Sequence, residues 1–214
     1  MEENLIRFAD LFGTVVFALT GAIKGVSRKL DLLGVVVLSC TVGVGGGIFR
    51  DCVTGALPAA ALQDETYLIL CILTAFAVFF FSGKFSARYA DWIVYLDAVG
   101  LGVFTALGCA KATSFGLPPI TIVLAGVITA CGGGVVRDIF VHTVPTILKS
   151  DFYATASLFG GLLFLFLKAY FPLSVLSCFL AVSGFVTALR LLAYHYKIQL
   201  PKAPAVFPPP GSEK

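Results

Sequence analysis

The chain of 214 residues is 58% hydrophobic and only 13% charged, with a mean hydropathy of +0.97 and a formal net charge of +3. Soluble domains have about 25% charged residues, so this composition excludes a soluble protein and predicts an integral membrane protein. The small charge indicates no nucleic-acid partner, and the acidic start at Met1-Glu2-Glu3 predicts no secretory signal peptide.

Seven apolar stretches, separated by charges, glycines and prolines, are predicted to be helices. Runs of about 20 apolar residues can cross the ~30 Å hydrocarbon core of a bilayer. We therefore expect an all-α membrane protein with a single membrane domain at 1–200 and a Pro-rich, disordered tail at 201–214. The predicted helices are Leu5–Val26, Asp31–Leu57, Tyr67–Gly83, Trp92–Ala112, Pro118–Val144, Phe152–Tyr170 and Leu173–Tyr196.

The second and fifth predicted helices each contain a glycine triplet that is followed by Arg-Asp. Glycine weakens a helix, and an arginine at membrane depth is costly and usually marks a substrate or ion path. This pattern predicts helices that are kinked or unwound at the triplets, with freed backbone groups facing a polar path. The two motifs are Gly45-Gly46-Gly47-Ile48-Phe49-Arg50-Asp51 and Gly132-Gly133-Gly134-Val135-Val136-Arg137-Asp138.

The two motifs belong to a longer internal repeat with an offset of 87 residues. Each copy holds three predicted helices, and an odd number places the second copy in the opposite orientation. We expect seven transmembrane helices, arranged as two inverted repeats at about 5–85 and 92–172 with a seventh helix at about 173–196. The offset also relates Asp10 to Asp97, Gly13 to Gly100, Phe17 to Phe104, Gly21 to Gly108, Lys24 to Lys111, Pro58 to Pro145 and Asp64 to Asp151.

The repeated charges of the first helix in each copy share one helical face with small residues. Inversion predicts two groups at two depths: Asp10 with Lys111 and Arg50, and Asp97 with Lys24 and Arg137. We expect each aspartate to pair with one of these cations, since opposite charges compensate one another in the membrane. Two interpretations stay open: the charges line or gate a polar pathway, or each arginine only satisfies backbone carbonyls and a carboxylate.

The basic residues are concentrated on one side of the predicted topology. By the positive-inside rule, the C-terminus is cytoplasmic and the N-terminus is outside. The other side carries only Arg7, Lys111 and Lys168. The cytoplasmic side carries Lys24, Arg28, Lys29, Lys84, Arg88, Lys149, Arg190, Lys197, Lys202 and Lys214.

No motif indicates catalysis or a cofactor. The glycines before Ile48 lack the last glycine of a dinucleotide-binding loop, His142 and His195 are far apart, and no catalytic triad or HExxH sequence occurs. We therefore expect no enzyme, metal or other cofactor. The cysteines lie in apolar stretches and are expected to be small buried side chains rather than disulfides or metal ligands; they are Cys40, Cys52, Cys71, Cys109, Cys131 and Cys178.

Residues 5–196 resemble the prokaryotic trimeric intracellular cation (TRIC) channel family, which is related to bacterial proteins with a duplicated glycine-transporter-like domain. The resemblance rests on the three-plus-three-plus-one helices and on the doubled GGGxxRD motif. It implies a homotrimer in the prokaryotic inner membrane, with one pore in each protomer and lipids around it. It also implies passive conduction of K⁺, with Na⁺ as a further candidate, along the second and fifth helices, with the triplets as kinks and Arg50 and Arg137 near the path.

Alternating-access transport of a small zwitterion such as glycine is the rival hypothesis. The Arg-Asp pairs could bind the carboxylate and the ammonium of such a solute, and the inverted repeat suits either mechanism. A membrane scaffold without transport is a third hypothesis, which does not explain why costly charges are kept. The candidate pore or gating residues are the glycines and the Arg-Asp pairs of the two motifs, together with four charges on the first helices of the two repeats: Gly45, Gly46, Gly47, Arg50, Asp51, Gly132, Gly133, Gly134, Arg137, Asp138, Asp10, Asp97, Lys24 and Lys111.

Overall fold

The computed structural model describes residues 2–81, 89–149 and 152–198. Within these ranges all regular structure is helical, as the composition predicted. The helices are α1 Glu2–Ser27, α2 Leu32–Thr54, α3 Ala60–Gln63, α4 Thr66–Phe81, α5 Tyr89–Ser114, α6 Pro119–Phe140, α7 Thr146–Lys149, α8 Ala154–Tyr170 and α9 Val175–His195.

Seven of these helices are long and apolar. α1, α2, α5, α6 and α9 have the length and composition to cross a membrane, whereas the apolar helices α4 and α8 have only 16 and 17 residues. Seven crossings therefore stay a prediction. The proposed tail at 201–214 lies outside the described residues.

The second and fifth predicted helices end earlier than the sequence indicated. α2 ends before Gly55, which adopts a left-handed conformation (φ 75°) and donates its N–H to the carbonyl of Asp51. Each end is followed by a one-turn helix, α3 or α7, that the sequence analysis missed. The apolar residues up to Leu57 and Val144 concealed these ends, because hydrophobicity continues past the last helical turn.

α1 and α5 run antiparallel against each other at the centre of the molecule. The Phe17 and Phe104 rings are both buried, with centroids 5.0 Å apart. Phe104 lies against Gly13, and Phe17 lies against Gly100. Contacting residue numbers therefore rise along α1 as they fall along α5. This is the relation that inverted repeats require.

α2 and α6 also cross antiparallel, at their glycine triplets. A Cβ atom on Gly46 would overlap the carbonyl oxygen of Thr129, and one on Gly133 would lie 2.5 Å from that of Val42. The backbone is nevertheless helical at every residue of both triplets. The predicted unwinding is therefore wrong, because the missing side chains are used for close helix packing; kinks at the triplets stay a prediction.

Packing around this centre is completed by α4, α8 and α9. α9, which follows the second repeat, packs on α5, where Gly102 approaches the carbonyl of Ser183. All six cysteines are free; four are buried as predicted, whereas Cys40 is half-buried and Cys52 is exposed. The apolar sequence around Cys52 did not reveal which face of the helix it occupies.

Candidate functional site

Arg50 of α2 lies at the centre of a buried cluster near one end of the helix bundle. Its Nη2 atom is 3.2 Å from Asp10 Oδ2 on α1, and its Nε atom donates to Asp51 Oδ1 at 2.8 Å. Lys111 of α5 reaches the same Asp51 oxygen at 2.6 Å. We call Asp10, Arg50, Asp51 and Lys111 the first charge layer.

Asp51 also fixes the chain that follows α2. Its second oxygen, Oδ2, accepts the backbone N–H of Ala60 at 2.9 Å, at the start of α3. Thus one buried carboxylate joins α2, α3 and α5, and its side chain is only 1% exposed. Charge-assisted bonds of this kind are short and strong, so Asp51 orients the Arg50 guanidinium as well as neutralising it.

The second repeat builds the same arrangement around Arg137. Its Nη1 atom donates to Asp97 Oδ1 at 2.8 Å, and its Nε atom donates to Asp138 Oδ1 at 3.1 Å. Asp138 Oδ2 accepts the backbone N–H of Thr146 at 2.7 Å, at the start of α7. We call Asp97, Arg137 and Asp138 the second charge layer. The prediction that Asp10 and Asp97 pair with cations of their own layer is confirmed.

The two lysines of the repeat are not placed alike. Lys111 forms an ion pair with Asp51, whereas half-buried Lys24 lies within electrostatic reach of Asp138 but farther than the 4.0 Å of an ion pair. The first layer therefore holds four charges in direct contact and the second holds three. The sequence offset predicted the depth of both lysines but could not distinguish these contacts.

A large cavity reaches the first charge layer. Its volume is about 640 Å³, and Asp10, Arg50 and Lys111 all contribute to its wall. Arg7 and Lys168, the other cations predicted on this side, also line it. Water that fills this cavity would bring the aqueous phase to a cluster of charges inside the bundle.

Both layers contain residues that the sequence analysis missed. Tyr67 of α4 donates its hydroxyl to Asp10 at 3.2 Å. Its counterpart is Tyr153, which precedes α8 and is 1% exposed. The internal repeat contains this pair of tyrosines, but the sequence analysis missed it because 86 residues separate them, rather than the 87 of the repeat offset. Thr20 contributes to the second layer, where its hydroxyl accepts a hydrogen bond from Arg137 at 3.3 Å. The equivalent residue in the repeat is the apolar Leu107, so the repeat did not indicate a polar contact at this position.

Arg190 is the cation whose position differs most from the prediction. The sequence analysis counted it among the charges on the cytoplasmic side, at the end of the seventh predicted helix, but its side chain is buried, with only 6% exposed. Its guanidinium carbon is 5.1 Å from the centre of the Tyr153 ring, and its Nη1 atom is 3.5 Å from the carbonyl oxygen of Phe152. A position near the end of an apolar helix does not separate a snorkelling arginine from a buried one.

Both layers consist of charges that compensate one another. Each buried arginine is held by two carboxylates, so the layers provide fixed charge inside the helix bundle. In the part of the chain that the structure describes, no cluster of histidine, cysteine or acidic side chains could hold a metal ion. The site thus consists of two layers of paired charges between antiparallel helices. The first charge layer borders the cavity of about 640 Å³.

Comparison with known proteins finds the same architecture. A family model described as glycine transporter matches twice, at residues 7–83 and 94–169. The UPF0126 inner membrane protein YadS of Escherichia coli is 34% identical over 200 residues, which cover 92% of this chain and 95% of that protein. A UPF0126 membrane protein of Vibrio cholerae is 38% identical over 167 residues, covering 76% of this chain and 68% of the relative.

Solved structures with the same fold are cation channels by their published descriptions. A TRIC trimeric intracellular cation channel orthologue from Rhodobacter sphaeroides superposes with a TM-score of 0.85 at 31% identity, covering 91% of this chain and 99% of the other. A prokaryotic TRIC channel solved in 0.5 M KCl gives a TM-score of 0.85 at 32% identity, covering 92% and 100%.

Proposed function

Since this chain belongs to the prokaryotic trimeric intracellular cation (TRIC) channel family, built from a duplicated glycine-transporter domain, we propose that it forms a homotrimeric cation channel. Each protomer has its own pore, and K⁺ crosses it along α2 and α6. We propose further that the protein lies in the prokaryotic inner membrane, with its C-terminus in the cytoplasm.

The observation that carries this proposal is the cavity of about 640 Å³ that ends at the first charge layer. Buried charges inside a membrane domain are retained where they serve a polar pathway. Here three members of the layer, Asp10, Arg50 and Lys111, line the cavity wall. A hydrated ion that enters the cavity therefore meets fixed charges in a wall that also contains apolar side chains.

The two arginines control the path rather than bind the ion. A guanidinium repels K⁺, and it can be tolerated beside a cation pathway only if carboxylates neutralise it. Arg50 has Asp10 and Asp51 as such partners, and Arg137 has Asp97 and Asp138. A shift of either arginine relative to its carboxylates changes the local barrier, and a charge that moves through the field adds ~2.3 kcal/mol per 100 mV of voltage dependence.

The direct test is recording from purified protein in planar bilayers. We expect discrete single-channel steps and, under a KCl gradient, a reversal potential close to that of K⁺. Absence of steps, together with saturable glycine counterflow in liposomes, would instead support the alternating-access transporter. The mass of the detergent complex provides a separate check, since a monomer contradicts the trimer.

One substitution tests the part played by the charge layers. We expect Arg137→Ala to change the unitary conductance or the gating, because it leaves Asp97 and Asp138 without their buried partner. Gly184→Ala on α9 is the matched control, since a Cβ atom there meets nothing within 4 Å. Wild-type currents from a folded Arg137→Ala trimer would mean that the arginine is only structural.

A further inference from the structure

The two charge layers share a motif but differ in how the space beside it is filled. A Cβ atom on Gly47, the last glycine of the first triplet, would meet only Arg50 Nη2 at 3.6 Å. A Cβ atom on the equivalent Gly134 would lie 2.8 Å from the Tyr153 hydroxyl oxygen. The second layer therefore contains a tyrosine where the first leaves room.

The first layer keeps that room open. Tyr67, the counterpart of Tyr153, points its hydroxyl to Asp10. A small cavity of about 10 Å³ beside it is lined by Gly47 and Arg50, which is space for about one water molecule. Arg50 also lines the larger cavity described above.

Tyr153 is held in the second layer by a residue from outside the repeats. The Arg190 guanidinium of α9 lies over its ring at 5.1 Å, and Nη1 contacts the neighbouring Phe152 carbonyl. Among the described residues of the first half, no helix is equivalent to α9. The Tyr153 hydroxyl faces Asp97 of the second charge layer, and the cation–π contact with Arg190 fixes the ring from the side of α9.

From these contacts we propose that Arg190 is a positioning residue that holds Tyr153 against Gly134, so that the second charge layer is the closed one of the two. Ions pass when the Tyr153–Arg190 pair separates and the ring leaves Gly134. α9 thereby makes a two-fold repeated protein functionally asymmetric.

The expected change in open probability follows from the cation–π contact between Arg190 and Tyr153, which the substitution removes. A desolvated cation–π contact of this kind shifts a two-state equilibrium by on the order of tenfold. Arg190→Gln removes the charge over the ring and should therefore raise the open probability in planar bilayers about tenfold at a fixed voltage. Arg190→Lys keeps the charge but loses the planar group, and we expect a smaller increase.

A second route to the same displacement does not touch Arg190. Gly134→Ala places a methyl group at the Tyr153 hydroxyl oxygen and should also raise the open probability. In a Tyr153→Phe background that oxygen is gone, so the effect of Gly134→Ala should shrink. If alanine acted only by stiffening α6, Gly134→Ala would change the open probability equally in the wild-type and the Tyr153→Phe backgrounds. Gly184→Ala, on the same helix as Arg190, is the control for α9.

This inference rests on the proposed channel function, and the two can fail separately. Wild-type protein without single-channel steps would refute the channel itself. A conducting wild type, with trimeric Arg190→Gln and Gly134→Ala variants that gate like it, would refute the role of the Tyr153–Arg190 pair alone. If Arg190→Gln does not assemble into trimers, Gly134→Ala with its Tyr153→Phe background decides the question.

Discussion

Two adjacent glycines of the first triplet should differ in how alanine changes the stability of the protein. Alanine at mid-helix is favoured over glycine by about 1 kcal/mol through helix propensity, and both positions gain this. At Gly47 the new Cβ atom has only an ordinary contact with Arg50 at 3.6 Å. Gly47→Ala should therefore raise the free energy of unfolding by about 0.5–1 kcal/mol.

Gly46→Ala meets a backbone atom that cannot rotate away. Its Cβ would overlap the Thr129 carbonyl oxygen of α6, so α2 and α6 must move apart. Overpacking of this kind costs about 1–3 kcal/mol. Because the propensity gain is common to both variants, this cost is the expected difference between them, and Gly46→Ala should be neutral to destabilised by about 2 kcal/mol.

Thermal unfolding in detergent measures this difference. A thiol-reactive fluorophore reports unfolding, because the buried thiols of Cys71, Cys109, Cys131 and Cys178 become accessible when the helices separate. At about 2–4 °C per kcal/mol for a chain of this size, the two melting temperatures should be well resolved. If both variants shift in the same direction by the same amount, the crossing at Gly46 does not limit packing and our account of the triplets is wrong.

Three further predictions concern charge. Asp51→Asn should destabilise the protein by about 3–5 kcal/mol, since Arg50 and Lys111 lose a buried partner. Adding Lys111→Met should recover part of the lost melting temperature. If nothing is recovered, Asp51 does not bridge Arg50 and Lys111 as we describe. Hydrogen bonds from Thr66 and the ion pair with Arg7 hold the pKa of Asp64 below its usual range. The contribution of Asp64 to stability should therefore persist down to about pH 4 and vanish only below that. The difference in melting temperature between the wild type and Asp64→Asn, measured from about pH 3 to about pH 7, tests this, and a difference that is already lost at about pH 6 would refute it. Green fluorescent protein fused after residue 214 should fluoresce in cells, and a dark fusion at normal expression would reverse the proposed orientation.

The sequence predicted those parts of the fold that depend on spacing. The offset of 87 residues and the inversion placed Asp10 at the depth of Arg50 and Asp97 at that of Arg137, and depth alone was enough to predict these pairs. It was not enough for Asp51, which bonds Lys111 across the two repeats. That contact depends on which way a short side chain leaves its helix, and periodicity does not specify this.

The glycine triplets show why the remaining features escaped prediction. A missing side chain permits either an unwound helix or a close crossing, and only the partner helix decides between them. Here the partner presents backbone carbonyls to Gly46 and Gly133, so packing prevails and the helices stay intact. Tyr153 and Arg190 were missed for a related reason, because their contact joins the second repeat to a helix that has no repeat partner.

The 40-residue separation between each aspartate and its arginine has a consequence for biosynthesis. Asp10 finds Arg50, and Asp97 finds Arg137, within a single helical hairpin made of α1 and α2 or of α5 and α6. A lone charge entering the bilayer costs several kcal/mol, but a hairpin that carries both members can enter as a neutral unit. The first half of the chain therefore has its own counter-ion when it enters the membrane and does not need to wait for the second half to leave the ribosome.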